Sequence, residues 1–170
     1  MTGLSVASDA LVEIGVLVTD SNLTILGDGV DVVIKASDDQ LSAMSEFVRK
    51  MHTESGLLAE IPLGKSLAEA EEIVLDYLTE HCEAGKSPLA GNTIGMDRNF
   101  ISRDMKKLEG FFHYRTIDVS SIKELAKRWY PEAYASAPEK TGNHRALADI
   151  RDSIAELAHY RTTIFQNISE

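Results

Sequence analysis

Asp97 is the first of several residues whose type and position could carry out chemistry. It follows a short apolar segment, 87–91, that predicts a strand, and a loop at 92–96, so its carboxylate lies in the first turn of a predicted helix. Ligands of open α/β sheets bind beyond the carboxyl ends of strands, so this carboxylate is well placed to contact one. An acidic residue at this position also stabilises a helix N-terminus without any further role, and position alone favours that simpler interpretation.

The segment 144–149 contains His144 and Asp149 at the start of the last predicted helix. Asp149 shares a helix face with Ala146 and Ser153, and these small neighbours would let its carboxylate approach the sheet. His144, beside a loop, could accept a proton from water because an imidazole is largely neutral near pH 7. A solvated histidine and an acidic residue at a helix start would produce the same pattern, and spacing alone favours that explanation.

The segment 112–121 combines a cation with hydroxyl groups. Arg115, Ser120 and Ser121 could together bind a phosphate at a helix N-terminus. Alternatively, the serines cap the helix and Arg115 pairs with a surface carboxylate. Each of the three segments is a weak signal when it is taken alone.

The elements that position these residues follow from hydrophobic spacing. Residues 11–19 predict a buried strand, and 23–35 predict a second strand with a bulge at Gly27 and Gly29. A hairpin followed by strands that alternate with helices predicts a single α/β domain over 1–170, with a mixed sheet flanked by helices. Further helices are predicted around 41–51, from a capping box at 66–69, after the loop at 92–96, from a second capping box at 121–124, and over 143–164. A further strand is predicted at 114–119, and a loop at 133–143.

The composition limits the partners that the protein can bind. Its 170 residues include 17 basic and 27 acidic residues, for a net charge of −10. Long nucleic acid and anionic membranes both require a basic face, so we expect neither as a partner, whereas a small anion bound through metal ions is compatible with this charge. There is no apolar run of roughly 20 residues, no signal peptide and only one cysteine, Cys82, which predicts a cytoplasmic protein.

Four segments taken together resemble one family: MTGL at 1–4, LAGNT at 89–93, HYRTIDVS at 113–120 and HRALAD at 144–149. They resemble the oligoribonucleases of the DEDDh 3′→5′ exonuclease superfamily, and the C-terminal half resembles actinobacterial members. The resemblance covers essentially the whole chain and implies a ribonuclease H-like fold. It also implies a homodimeric enzyme that degrades short RNA oligonucleotides, 5′-phosphorylated dinucleotides above all, with two divalent ions, Mg²⁺ or Mn²⁺.

The resemblance also implies roles for individual residues. Asp97 and Asp149 match metal-binding acids, and His144 matches the general base that deprotonates the attacking water. Residues that match substrate contacts are Leu4, Phe47 (usually tryptophan in the family), His52 and Thr93 (often serine in the family). Residues that match a group of the partner subunit, which caps the 5′-phosphate, are Tyr114, Arg115 and Ser120.

The beginning of the sequence departs from the family pattern. In the family, MTGL directly follows a central strand that ends in Asp-x-Glu, two catalytic carboxylates, whereas this sequence begins at Met1. We therefore expect a chain truncated at its N-terminus, a sheet that is open between the neighbours of that strand, and no metal-dependent cleavage by 1–170 alone. Two alternatives are a catalytically inactive module that binds a dinucleotide and a dimeric interaction protein.

Overall fold

The computed structural model describes residues 1–140, 142 and 144–165. Its first two strands form a β-hairpin. β1 (Glu13–Thr19) pairs antiparallel with β2 (Ile25–Val33), and the register shifts between Val16 and Val18. Gly27 and Gly29 have φ angles of 70° and 81°, which glycine adopts readily and other residues rarely do. The predicted bulge is therefore present, in strands that are shorter than 11–19 and 23–35.

Helices cover the segment between the hairpin and the next strand. The predicted helix around 41–51 is two helices, because Ser45 caps the second by accepting a hydrogen bond from the backbone N–H of Val48. The predicted capping box at Ser66 and Glu69 is present. The elements of this segment are α1 (Asp38–Ser42), α2 (Glu46–Glu54), α3 (Leu57–Glu60), a 3₁₀ turn (Ile61–Leu63) and α4 (Leu67–His81).

The second half of the chain contains a β-α-β unit and three further helices. β3 (Pro88–Gly91) and β4 (His113–Asp118) are parallel, and α5 (Ile94–Asp104) and α6 (Lys106–Phe111) connect them. The remaining helices are α7 (Val119–Trp129), α8 (Pro131–Ala135) and α9 (Ala146–Thr163).

Three local predictions in this half were wrong in detail. The capping box at Ser121 does not form, because α7 begins earlier and Asp118 caps it by accepting from the backbone N–H of Ser120 at 2.9 Å. The predicted loop 133–143 begins within α8, where proline is tolerated in the first turn. The last helix begins at Ala146 and not at Asn143, which lies outside the described residues.

The four strands form two separate sheets and not the single mixed sheet that was predicted. Within the described part of the chain, β1 pairs only with β2, and β3 pairs only with β4. Helices join the two sheets instead, since one core contains residues of the hairpin, α4, α5 and α6. Its members include Ile14, Val32, Val74, Leu78, Phe100 and Leu108. The α/β class is confirmed.

Candidate active site

Asp97 lies at the start of α5, as its sequence position predicted. The chain leaves β3, turns through Thr93 in the left-handed region (φ 54°) and enters α5, whose first turn contains the carboxylate. Burial raises the pKa of Asp97, while its own backbone N–H acts in the opposite direction. A half-buried carboxylate of this kind gains from any nearby positive charge.

Asp149 and His144 lie together at the start of α9. Burial raises the pKa of Asp149, and His144 is the largest influence that lowers it. His144 is exposed and has a φ of 50°. The start of α9 packs closely on β1 at Ala146, because a Cβ atom built on Gly15 would lie 2.9 Å from the Cβ of Ala146.

The carboxylates of Asp97 and Asp149 are the candidate metal ligands among these residues. Carboxylates are the hard oxygen donors that Mg²⁺ and Mn²⁺ prefer. Within residues 1–140, 142 and 144–165, however, no group of three or more His, Cys, Asp or Glu side chains is arranged to hold a metal ion. The described residues therefore do not by themselves fit a centre with two ions.

Thr93 and Ser120 meet at the ends of β3 and β4. The hydroxyl of Ser120 accepts from the backbone N–H of Thr93 at 3.0 Å and lies 3.2 Å from the Thr93 hydroxyl. Asp118, the last residue of β4, also accepts from the Thr93 N–H at 3.0 Å. The ends of β3 and β4 are therefore joined by hydrogen bonds. These two predicted substrate contacts are therefore adjacent within a single chain.

Tyr114 and Arg115 form an exposed pair on β4. The guanidinium carbon of Arg115 lies 5.3 Å from the centroid of the Tyr114 ring, and 72% of Tyr114 is exposed. Among the described residues Arg115 forms no ion pair with a carboxylate, so the interpretation that it is a neutralised surface charge has no support here. The pair is open to an anionic ligand.

Leu4 and Phe47 are also exposed, whereas His52 is not. Leu4 is 71% and Phe47 76% exposed, which leaves both side chains free to contact a base. His52 is 3% exposed, and its Nε2 lies 2.8 Å from the backbone oxygen of Met1. Its Nδ1 is buried without a hydrogen-bond partner among the described residues.

A buried polar cluster adjoins Thr93 and was not predicted from the sequence. Glu156 is 3% exposed and accepts from the amide of Asn92 at 3.2 Å, while Lys123 lies 3.0 Å from its other oxygen. Asn92 in turn accepts from the hydroxyl of Ser120 at 3.1 Å, so the cluster connects the Thr93 turn to α9. The periodicity of α9 contained the only signal, because Glu156 interrupts its apolar face.

Comparison with known proteins finds close similarity over nearly the whole chain. Residues 1–157 match the exonuclease family. The chain is 61% identical over 166 residues to an oligoribonuclease of Streptomyces griseus and 62% identical to that of Streptomyces coelicolor, in both cases over 97% of this chain and 83% of the relative. An oligoribonuclease of Cutibacterium acnes is 57% identical over 96% of this chain and 82% of its own length.

Proposed function

Since the chain belongs to the exonuclease family and is a nuclease closely related to oligoribonucleases, we propose that it removes nucleotides from the 3′ end of short RNA. Its preferred substrates are 5′-phosphorylated dinucleotides, and its products are mononucleotides. The alternatives of an inactive dinucleotide-binding module and a dimeric interaction protein gain no support from these similarities.

The observation that carries this proposal is the exposed Tyr114–Arg115 pair. A guanidinium held over an aromatic ring and free of a carboxylate partner can bind a terminal phosphate, while the ring contacts the adjacent nucleotide. A net charge of −10 disfavours a long polyanion, which favours a substrate with few phosphates. The hydroxyl of Ser120 lies beyond the same strand and belongs to this phosphate-binding group.

The remaining substrate contacts surround the base and the backbone of the RNA. Leu4 and Phe47 stack against the bases with their exposed side chains. Thr93 offers its hydroxyl beside Ser120, and the buried His52 supports this region through its contact with the backbone oxygen of Met1. His144 accepts a proton from the attacking water at a ring nitrogen, and its exposed position at the start of α9 leaves it accessible to that water.

Divalent ions, Mg²⁺ or Mn²⁺, are the proposed cofactors, and when bound they supply positive charge at the scissile phosphate. Asp97 and Asp149 are the ligands that the described residues contribute. The proposed source of the remaining ligands is one more extended strand that carries carboxylates, because β1 and β3 each pair on one edge only within the described residues. The proposed assembly is a cytoplasmic homodimer in which Tyr114, Arg115 and Ser120 act on the substrate of the partner subunit.

The proposal is tested with protein expressed from its own gene, including any in-frame codons upstream of Met1. A 5′-phosphorylated dinucleotide and a ten-nucleotide RNA are incubated with the enzyme and Mg²⁺ or Mn²⁺, and the mononucleotides released are measured. We expect much faster cleavage of the dinucleotide, and equal rates on both lengths would refute the role of the phosphate-binding group.

A second arm compares that protein with residues 1–170 alone. We expect metal-dependent cleavage above background only from a form that supplies the additional strand and its carboxylates. Comparable turnover by the two forms would show that Asp97 and Asp149 suffice, and the proposed additional strand would then be wrong.

A further inference from the structure

Arg145, the residue next to His144, connects the start of α9 to two other elements. Its Nε donates to Oε1 of Glu13 in β1 at 2.6 Å. Its Nη1 and Nη2 donate to the two carboxylate oxygens of Glu60, at the end of α3, at 3.0 and 2.9 Å. All three guanidinium nitrogens therefore have carboxylate partners, in the bidentate geometry that arginine favours.

Glu13 fixes the same helix start through its second oxygen. Its Oε2 accepts from the backbone N–H of Ala146 at 3.0 Å, while Arg145, the N-cap residue, makes no side-chain cap of its own. The side chain of Glu13 is only 6% exposed, so this carboxylate depends on these two partners. Glu13 of β1 thus takes the place of the usual N-cap side chain, and its hydrogen bonds attach α9 to the hairpin.

His144 lies directly before this attachment and has a left-handed backbone conformation, with a φ of 50°. A residue other than glycine adopts this conformation at an energetic cost, so its surroundings must maintain it. We propose that Arg145 is a positioning residue, which holds His144 in reach of the attacking water through its ion pairs with Glu13 and Glu60. This inference rests on the proposed role of His144 as the proton acceptor.

A direct role for Arg145 in binding phosphate is the competing interpretation. Its donors already face carboxylates, and hydrogen bonds to Glu60 and Glu13 raise the pKa of Arg145 further above its ordinary value. An RNA phosphate would have to displace Glu60 and would then approach Glu13 and Asp31 as well, since both carboxylates lie near this guanidinium. Arg115, which has no such partner among the described residues, is the better ligand.

The test compares Arg145→Ala, Arg145→Lys and Glu60→Ala in protein expressed from its own gene. Glu60→Ala is the milder variant, because the Glu60 side chain is 49% exposed and the Glu13 contacts stay intact. The first readout is backbone hydrogen exchange in the segment 144–150, which does not require activity. The second is kcat and KM for a 5′-phosphorylated dinucleotide. Arg128→Ala is the matched control, because Arg128 pairs with Glu124 on the exposed face of α7.

We expect Arg145→Ala to speed exchange in 144–150 and to lower kcat on the order of 10- to 100-fold, with KM nearly unchanged, because the proton acceptor is misplaced while the substrate contacts remain. Arg145→Lys and Glu60→Ala should show smaller losses of the same kind. Adding Glu60→Ala to Arg145→Ala should cause no further loss, because both remove one interaction.

Two kinds of failure can be told apart. A raised KM with unchanged kcat in Arg145→Ala would show that Arg145 binds substrate, and faster exchange without loss of kcat would show that its ion pairs do not matter for catalysis. Either result would overturn this inference alone. An unreduced kcat in His144→Ala would instead overturn the role of His144, and this inference with it.

Discussion

Replacing Arg115 by alanine separates the recognition of the terminal phosphate from the rest of the site. Arg115 is exposed on β4, packs over the ring of Tyr114 at 5.3 Å and, among the described residues, has no carboxylate partner. Its removal therefore breaks no buried contact, and we expect the free energy of unfolding to change by no more than about 0.5 kcal/mol.

The effect on the reaction should be much larger than the effect on stability. A hydrogen bond between charged groups contributes about 1.5–3 kcal/mol, so losing the phosphate contact should lower kcat/KM for a 5′-phosphorylated dinucleotide about 10- to 150-fold. The aromatic ring limits the movement of the guanidinium in the unaltered protein, which favours the upper part of this range. Added salt should reduce the difference, because the contact is exposed.

The assay measures initial rates of mononucleotide release from dinucleotides with and without a 5′-phosphate. Arg128→Ala removes the same charge from an exposed position on α7 and should leave both rates unchanged. With the unphosphorylated dinucleotide, Arg115→Ala and the unaltered protein should differ little. An equal loss on both substrates, or no loss on either, would refute the assignment of Arg115 to the terminal phosphate.

Three further predictions concern the dimer, the pH dependence of stability and a helix cap. Mixing His144→Ala with Tyr114→Ala should restore activity in exchanged dimers, because one site then has both residues intact; exchange without activity would place Tyr114 in its own subunit's site. Burial lowers the pKa of His52 below its ordinary value of 6.5, so protonation of His52 destabilises the fold as the pH falls below 6.5. The free energy of unfolding, measured by urea denaturation above and below pH 6.5, should therefore fall less in His52→Asn than in the unaltered protein, and an equal fall in both would contradict this role. Ser66→Ala should lower the free energy of unfolding by about 1 kcal/mol in urea denaturation, whereas Ser42→Ala at an exposed helix end should change it little, and equal effects would contradict the role of the cap.

Elements specified by neighbouring residues could be predicted from the sequence. The capping box at Ser66 and the apolar spacing behind it predict α4, and the glycines at 27 and 29 predict the bulge in β2. Asp97 lies in the first turn of α5, as predicted, and Asp149 lies near the start of α9. In each case the determining contacts lie within a few residues of one another, so the pattern contains the information.

Elements decided by distant contacts could not be predicted in this way. The pattern at Ser121 is as good a capping box as that at Ser66, yet Asp118 caps α7, and this aspartate also accepts from the N–H of Thr93, 25 residues away. The Arg145–Glu13 ion pair joins residues 132 positions apart. In the sequence, Glu13 is a single charge within an apolar run, and its two partners become evident only in the folded chain.

The difference between Arg115 and Arg145 supports the proposal that an acidic protein selects short RNA. Both arginines lie beside residues proposed to act on the substrate, but Glu13 and Glu60 neutralise Arg145, while no carboxylate among the described residues neutralises Arg115. A longer RNA would bring additional phosphates towards a chain with a net charge of −10, which disfavours their approach. In the function that we propose, the guanidinium of Arg115 favours the terminal phosphate of a short RNA, and the net charge acts against each further nucleotide.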